Sequence, residues 1–118
     1  MKNLEKMRII EFKGKRVDTG EWVYGGLIYV DGRTYIFEDG SLRRYEVKPV
    51  TVGQYTNVDD VGNNRIYEGD IVSYYDTISN GRRSGVVEFY NGRYIILTEY
   101  RTQIDLCCAL DKKIGTLL

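Results

Sequence analysis

Four acidic residues lie close together in the middle of the chain, and carboxylates are the ligands that hard cations prefer. They are Asp59, Asp60, Glu68 and Asp70. Their spacing differs from that of a calcium-binding loop, because the sixth position after an Asp59 start is Asn64 rather than glycine. From an Asp60 start, the twelfth position is Ile71 rather than glutamate. We therefore interpret Asp59–Asn64 as a solvated turn and expect no metal site and no cofactor.

Two of these carboxylates also have the chemistry of a general acid and base. Glu68 and Asp70 flank Gly69, which places them on a short turn. Carboxylates on such a turn are seldom catalytic when no cleft surrounds them. Histidine is absent from the chain, which removes Ser/His and Cys/His nucleophile pairs and the histidine ligands of catalytic zinc. We expect no enzymatic activity, and we interpret Asp70 as the cap of a turn that enters a strand.

Basic residues cluster at two places and could contact phosphate groups. Lys13, Lys15 and Arg16 lie near the start, and Arg82 and Arg83 precede a predicted hairpin. With the eleven tyrosines of the chain, this pattern is compatible with single-stranded nucleic acid, where bases stack on aromatic rings beside cations. The balanced charge, 17 Lys and Arg against 17 Asp and Glu, is untypical of a dedicated nucleic-acid binder. Nucleic acid is therefore the alternative partner and not the favoured one.

The two cysteines, Cys107 and Cys108, are adjacent, which disfavours a disulfide between them in regular structure. We predict that they are reduced and buried, which indicates a cytoplasmic protein. Neither a signal peptide nor an apolar run of membrane-spanning length is evident, so no membrane contact is expected.

The composition predicts a β protein of one domain. Val, Ile, Thr and the aromatic residues make up 45 of the 118 residues, whereas alanine occurs once, at Ala109. Strands that recur every 8 to 12 residues or so indicate a small barrel or a sandwich. Pro49, the single proline, is a candidate boundary between a hairpin-rich part, 1–49, and a barrel part, 50–118.

The segment 21–39 predicts a β-hairpin, because Asp31-Gly32 is a two-residue turn between strand-forming runs. Counting from the turn pairs Val30 with Arg33 and Leu27 with Ile36. Both faces of this hairpin are partly apolar. We therefore expect it to lie inside a closed sheet or to contact a second subunit.

A second hairpin is predicted for 85–98, where the turn is Asn91-Gly92. The register pairs Phe89 with Tyr94 and Val87 with Ile96, and we expect this apolar face to be core. Further strands are predicted at 44–47, 50–55 and 71–75, with a loop at 57–64. The tail from residue 103 fits a short helix as well as a strand.

Three stretches together resemble the YopX family of phage and prophage proteins. They are Phe12–Gly25 (FKGKRVDTGEWVYG), Val52–Thr56 (VGQYT) and Ile66–Val72 (IYEGDIV), and the resemblance covers most of residues 8 to 98. It implies a phage or prophage origin, the bacterial host cytoplasm, and oligomers. It also implies an SH3-like barrel in the C-terminal part, preceded by a hairpin-rich β extension. The family carries no assigned activity.

The shared motifs are interpreted as structural, with Trp22 and Tyr24 expected to supply large core rings. The motif residues in this group are Trp22, Tyr24, Gly53, Gln54, Tyr55, Tyr67, Glu68, Gly69 and Asp70. The favoured hypothesis is a non-enzymatic, oligomeric protein-interaction module, whose partner is a second copy or a host or phage protein. The alternative is an accessory nucleic-acid-binding protein.

Overall fold

The computed structural model describes residues 8–38, 40–106 and 110–116. The protein is mainly β, as the composition predicts, and a short 3-10 turn occupies Pro49–Thr51. In chain order the strands are β1 (Phe12–Lys15), β2 (Trp22–Val30), β3 (Arg33–Glu38), β4 (Arg44–Glu46), β5 (Gly53–Asp59), β6 (Arg65–Tyr67), β7 (Asp70–Asp76), β8 (Gly81–Tyr90), β9 (Arg93–Thr98), β10 (Gln103–Asp105) and β11 (Leu110–Thr116).

The strands form two antiparallel sheets. One has the order β4-β3-β2-β1-β5-β6 and the other the order β10-β9-β8-β7-β11. No pairing within residues 8–38, 40–106 and 110–116 joins the first strand of either sheet to its last, so no closed barrel is formed there. The prediction of a closed barrel is therefore not confirmed. At one edge of the second sheet, β10 is only three residues long and offers a closing strand few hydrogen bonds.

The chain divides into two compact units, Met1–Asn57 and Val58–Leu118. The predicted division into 1–49 and 50–118 stays a prediction. The first unit has a small core of Val23, Ile36 and Val47, against which Phe12, Tyr45 and Val52 pack. Gly14 lies in β1 over this core, and a Cβ atom there would be 3.0 Å from the Val47 Cβ atom. The missing side chain therefore lets β1 approach Val47 closely.

The second unit has the larger core. Its buried members are Ile66, Val72, Tyr74, Val87, Ile96 and Leu106. Val72 and Tyr74 alternate along β7, and Val87 and Ile96 are cross-strand partners in β8 and β9. These four residues share one face of the β7-β8-β9 sheet, as period-two alternation predicts.

Both predicted hairpins are present with the predicted registers. The turn residues Asp31 and Gly32 have φ values of 51° and 74°, and Asn91 and Gly92 have 50° and 79°. Two successive positive φ values are the signature of the type I′ turn, whose twist suits a hairpin. Val30 pairs with Arg33, and Phe89 pairs with Tyr94.

The prediction that the apolar face of the second hairpin is core is only partly correct. Val87 and Ile96 are fully buried, but Phe89 is 55% exposed and makes an edge contact with Tyr94 near the turn. Ile95, which follows Tyr94 and therefore lies on the opposite face of the strand, is 1% exposed. Period-two counting gives the face of each residue but not how far the covering layer reaches toward the turn.

Other element boundaries differ from the predicted ones. The segment 50–55 begins as a 3-10 turn after Pro49, where the Thr51 hydroxyl donates to the Lys48 carbonyl oxygen (2.6 Å), so the strand starts only at Gly53. That strand, β5, extends into the predicted loop as far as Asp59. In the tail, Gln103–Asp105 and Leu110–Thr116 are strands. Cys107 and Cys108 lie outside the described residues.

Candidate functional site

The most unusual surface of the first unit is the outer part of the β2–β3 hairpin. β1 pairs with β2 only from Trp22 to Gly25, and β4 pairs with β3 from Tyr35 onward. The segment Gly26–Arg33, here named the exposed ribbon, therefore has no flanking strand on either side within the described residues. Its apolar side chains are accessible, and the exposed fractions are 37% for Leu27, 41% for Ile28, 74% for Tyr29 and 38% for Val30.

The path of the chain before β1 explains why the β2 edge is left open. Asn57 holds Ile9 through two hydrogen bonds, because the Ile9 N–H donates to the Asn57 Oδ1 (2.8 Å) and the Asn57 Nδ2 donates to the Ile9 carbonyl oxygen (2.9 Å). The Tyr55 N–H donates to the Glu11 carbonyl oxygen (2.8 Å). Residues 9–11 therefore follow β5 instead of continuing along β2.

Gly25 marks the base of the ribbon. A Cβ atom at this position would lie 1.7 Å from the Phe37 carbonyl oxygen, and the residue has a φ of 154°. No other residue type fits there without moving the backbone. A Cβ atom at Gly26 would meet no atom within 4 Å, so the two adjacent glycines have different roles.

Three of the five basic residues that are candidates for a partner or nucleic-acid surface lie in the first unit, and they contact side chains of that unit. The Lys13 and Lys15 Nζ atoms lie 4.4 and 5.3 Å from the centroid of the Trp22 ring, and Lys13 is only 2% exposed. Arg16 donates two hydrogen bonds to the Asp18 carboxylate (2.9 and 2.7 Å) and lies over the Tyr45 ring. These cations are therefore directed to aromatic rings and a carboxylate of their own unit.

The hydrogen bonds between Arg16 and Asp18 also shift the pKa values of both groups. They raise the pKa of Arg16 and lower the pKa of Asp18. The pair is solvent-accessible, so it contributes little to stability.

In the second unit, Arg83 is the centre of a polar network. Its Nε donates to the Asp76 carboxylate (3.1 Å), and its Nη1 donates to Glu99 (2.7 Å) and to the Tyr100 hydroxyl (3.2 Å). The interaction with Tyr100, followed by those with Glu99, raises the pKa of Arg83. Arg83 thus holds together two turns of its own unit, whereas its neighbour Arg82 is exposed.

A shallow groove of about 430 Å³ lies beside this network. It is lined by Ser73, Arg82, Arg83, Ser84, Glu99 and Ile114. Two carboxylates already compensate Arg83, so the groove is not strongly cationic. Nothing in its lining resembles a nucleophile with an adjacent base.

Two of the four acidic residues are buried and anchor the last strand. The Asp60 carboxylate accepts hydrogen bonds from the N–H groups of Gly62 (2.8 Å), Asn64 (2.9 Å) and Lys113 (3.0 Å). These bonds, with that from Lys113 making the largest contribution, lower the pKa of Asp60 to about 2. The Asp60–Asn64 turn is thereby fixed to β11.

Asp70 is fully buried and acts in a similar way. Its Oδ2 accepts the Tyr67 N–H (2.8 Å), which confirms that it closes the turn before β7, and it lies 3.3 Å from the Lys113 Nζ. Asp59 is exposed and Glu68 is half-buried. No group of three metal-ligating side chains occurs in the part of the chain that the structure describes.

The family-motif residues have mixed environments. Tyr55 and Tyr67 are buried, and Gly69 has a φ of 88°, which suits the turn before Asp70. Gly53 and Gln54 pair with Lys13 and Phe12 of β1. Trp22 is half-buried beneath the two lysines, but Tyr24 is 42% exposed, so its expected place in the core is wrong. Tyr24 shares the lysine face of β2, which lies opposite the core residue Val23.

A family model described as YopX protein matches residues 9–117. The chain belongs to the YopX family. The match confirms the resemblance carried by the three motifs and extends it through β11. No curated protein and no solved structure matches the chain. The function of the YopX family is unknown, so membership supports no site assignment.

The structure adds two features that sequence reasoning missed. The anchoring role of Asp60 depends on Lys113, which is 53 residues away, and no local pattern indicates it. The openness of the β2 edge depends on Asn57 holding residue 9. The nine consecutive uncharged residues of β2 indicate a strand that contacts other protein, because exposed edge strands are normally protected by charges, but they do not show that this edge is open. Among the described residues, no helix has the length and apolar character needed to span a membrane.

Proposed function

We propose that this YopX-family protein is a non-enzymatic interaction module that assembles with further copies of itself through the exposed ribbon. The observation that carries the proposal is the exposure of four consecutive apolar residues, Leu27 to Val30, on both faces of one two-stranded ribbon. An isolated two-stranded ribbon is only marginally stable in water, and contiguous exposed apolar surface marks interaction sites.

The resemblance to phage and prophage proteins supports the cellular context of the proposal. We place the protein in the cytoplasm of a bacterial host, encoded by a virus or an integrated prophage. A host or phage protein is the second kind of partner that the ribbon would accept. The SH3-like description of the C-terminal unit belongs to the same proposal, and its five-stranded antiparallel sheet supports it.

The nucleic-acid alternative has weaker support. Lys13 is buried, Arg16 is paired with Asp18, and Arg83 is paired with Asp76 and Glu99. Phosphate binding needs cations that reach the surface and release counterions. Of the five predicted residues, Lys15 and Arg82 are the most suitable for that role.

Light scattering over a range of protein concentrations tests the proposal. We expect the wild-type chain to be an oligomer and the Ile28→Lys variant to be a monomer, because the new charge would have to be buried at the interface. Ile78→Lys is the matched control, since Ile78 is 96% exposed in the second unit and should tolerate the change. A wild-type protein that stays monomeric at every concentration contradicts the proposal.

A further inference from the structure

The backbone of the exposed ribbon determines how a second copy can bind. Val30 and Arg33 flank the two-residue turn, and such a pair exchanges both of its backbone hydrogen bonds. Because the pattern alternates, Gly26, Ile28 and Val30 direct their N–H and C=O groups toward β3. Leu27 and Tyr29 direct theirs away from β3, toward the open edge.

The base of β2 shows the same alternation. The Glu21 carbonyl oxygen accepts the N–H of Arg16 (2.9 Å), and it lies on the β1 side. The backbone N–H and C=O groups of the odd-numbered β2 residues therefore point toward β1 where that strand is present. Beyond Gly25 they point toward the open edge. No strand pairs with this edge in residues 8–38, 40–106 and 110–116.

We infer that two copies of the chain join edge to edge through an antiparallel pairing of β2 with β2, with a twofold axis at Ile28. This inference rests on the proposed function and specifies its partner and geometry. Leu27 of each copy exchanges two backbone hydrogen bonds with Tyr29 of the other. In each copy the N–H and C=O groups of Leu27 and Tyr29, four groups that face the open edge, are therefore satisfied. The two ribbons become one four-stranded sheet.

The side chains of the segment are complementary to themselves in this register. Gly26 lies opposite Val30, Leu27 lies opposite Tyr29, and Ile28 lies opposite Ile28 of the second copy. On one face glycine meets valine on both sides of the Ile28 pair, and on the other face an aliphatic residue meets an aromatic ring. Centres at Leu27 or Tyr29 keep the hydrogen-bond pattern but shorten the overlap of Gly26–Val30. The absence of charge along β2 favours an identical strand as partner, since neither copy brings a charge that must be buried.

Cysteine cross-linking tests the register. In this pairing the Ile28 residues form a non-hydrogen-bonded pair, whose Cα atoms are about 4.5 Å apart, within the range for a disulfide. The Tyr29 residues of the two copies are diagonal neighbours at about 7 to 8 Å, which is too far. In a full chain carrying Cys107→Ser and Cys108→Ser, we expect Ile28→Cys to form disulfide-linked dimers under mild oxidation. Tyr29→Cys should form them at least about tenfold more slowly, although Tyr29 is the more exposed position.

A second pair of variants tests the hydrogen bonds. Tyr29→Pro and Tyr29→Ala both remove the ring, but only proline removes the N–H that points to the open edge. The bonds to β3 involve the even-numbered residues and are retained in both. We expect the dimer of Tyr29→Pro to dissociate with a constant at least about tenfold higher than that of Tyr29→Ala. Equal constants overturn the edge pairing.

The outcomes separate this inference from the proposed function. An oligomer that cross-links equally well at positions 28 and 29 overturns the edge pairing and leaves self-association in place. A monomer in light scattering overturns both. Amide hydrogen exchange at Leu27 and Tyr29 gives the last criterion, because the pairing predicts protection that is lost on dilution. Protection at every concentration would show that another segment of the same chain covers the edge, and would overturn the inference.

Discussion

The two hairpins of this protein have nearly the same local plan and opposite environments. Each has a type I′ turn, a six-pair register and apolar residues on both faces. The β8–β9 hairpin is flanked by β7 and β10, and Val87, Ile95 and Ile96 are at most 1% exposed. In the part of the chain that the structure describes, the β2–β3 hairpin is flanked only near its base, and its outer residues are exposed.

The difference teaches that a hairpin's role is set by its neighbours rather than by its own pattern. Flanking strands on both edges, and the burial of Ile95 and Ile96 on opposite faces, make β8–β9 part of a core. Among residues 8–38, 40–106 and 110–116, no strand flanks the outer part of β2–β3, which leaves it with open hydrogen-bonding groups and apolar surface, the features of an interaction edge.

Replacing one isoleucine in each hairpin by alanine should give the largest contrast. Ile96→Ala creates a cavity in the core of the second unit and should lower the free energy of unfolding by about 3 to 4 kcal/mol. Ile28→Ala removes a side chain that is 41% exposed, and should cost less than about 1 kcal/mol in the monomer. Denaturant unfolding at a low, matched protein concentration measures both values. Similar losses would show that the ribbon is as much part of a core as β8–β9.

The adjacent glycines at the base of the ribbon give the next contrast. Gly25→Ala places a Cβ atom against the Phe37 carbonyl oxygen and should lower the free energy of unfolding by about 2 to 3 kcal/mol. Gly26→Ala is the matched control, since it meets open space and should change stability by less than about 0.5 kcal/mol. Thermal unfolding of the two variants checks this. Equal melting temperatures would contradict the conclusion that only glycine fits at position 25.

Much of this contrast was accessible from the sequence, and some of it was not. The Asp31-Gly32 and Asn91-Gly92 turns determine both registers, because a two-residue turn leaves only one way to pair the flanking strands. The exposure of Phe89 and Tyr24 was not predictable, because it depends on how far the covering strands reach. The two-faced ribbon was recognised from its composition. That its edge is open depends on a contact between Asn57 and Ile9, 48 residues apart, which no local pattern encodes.

Acid should weaken the second unit through the carboxylate that anchors its last strand. The pKa of Asp60 falls from an ordinary 3.8 to about 2 in the folded protein, so its stabilisation is present above about pH 4 and is lost as the pH falls toward 2. Asp60→Asn should therefore be about 1 to 2 kcal/mol less stable than wild type at pH 7, with the difference shrinking below pH 4.

Unfolding of both proteins from pH 7 to pH 2 measures this, with Asp59→Asn as the control at an exposed neighbour. Hydrogen exchange should show the loss in Lys113 and the rest of β11. The exposed ribbon should be unaffected by the substitution, because the described hydrogen bonds of Asp60 all lie within the second unit. A constant difference between wild type and Asp60→Asn across the whole pH range would contradict the assigned ionisation.

The smallest effect is expected at Arg82 and Arg83, which lie at the start of β8 itself and not in a loop before it. Arg83→Ala removes bonds to Asp76 and Glu99 that are partly solvated, and should lower stability by at most about 1 kcal/mol. Arg83→Ala should also leave any affinity for single-stranded DNA unchanged at low and at moderate salt, because Asp76 and Glu99 already pair with Arg83. The double substitution Arg82→Ala with Arg83→Ala removes the exposed cation as well. Fluorescence anisotropy with a labelled oligonucleotide at two salt concentrations measures this. Tight binding that weakens steeply with salt and is lost in the double variant would move the functional surface from the exposed ribbon to the second unit. It would also reverse the roles assigned to the two hairpins, since the buried one would then present the binding surface.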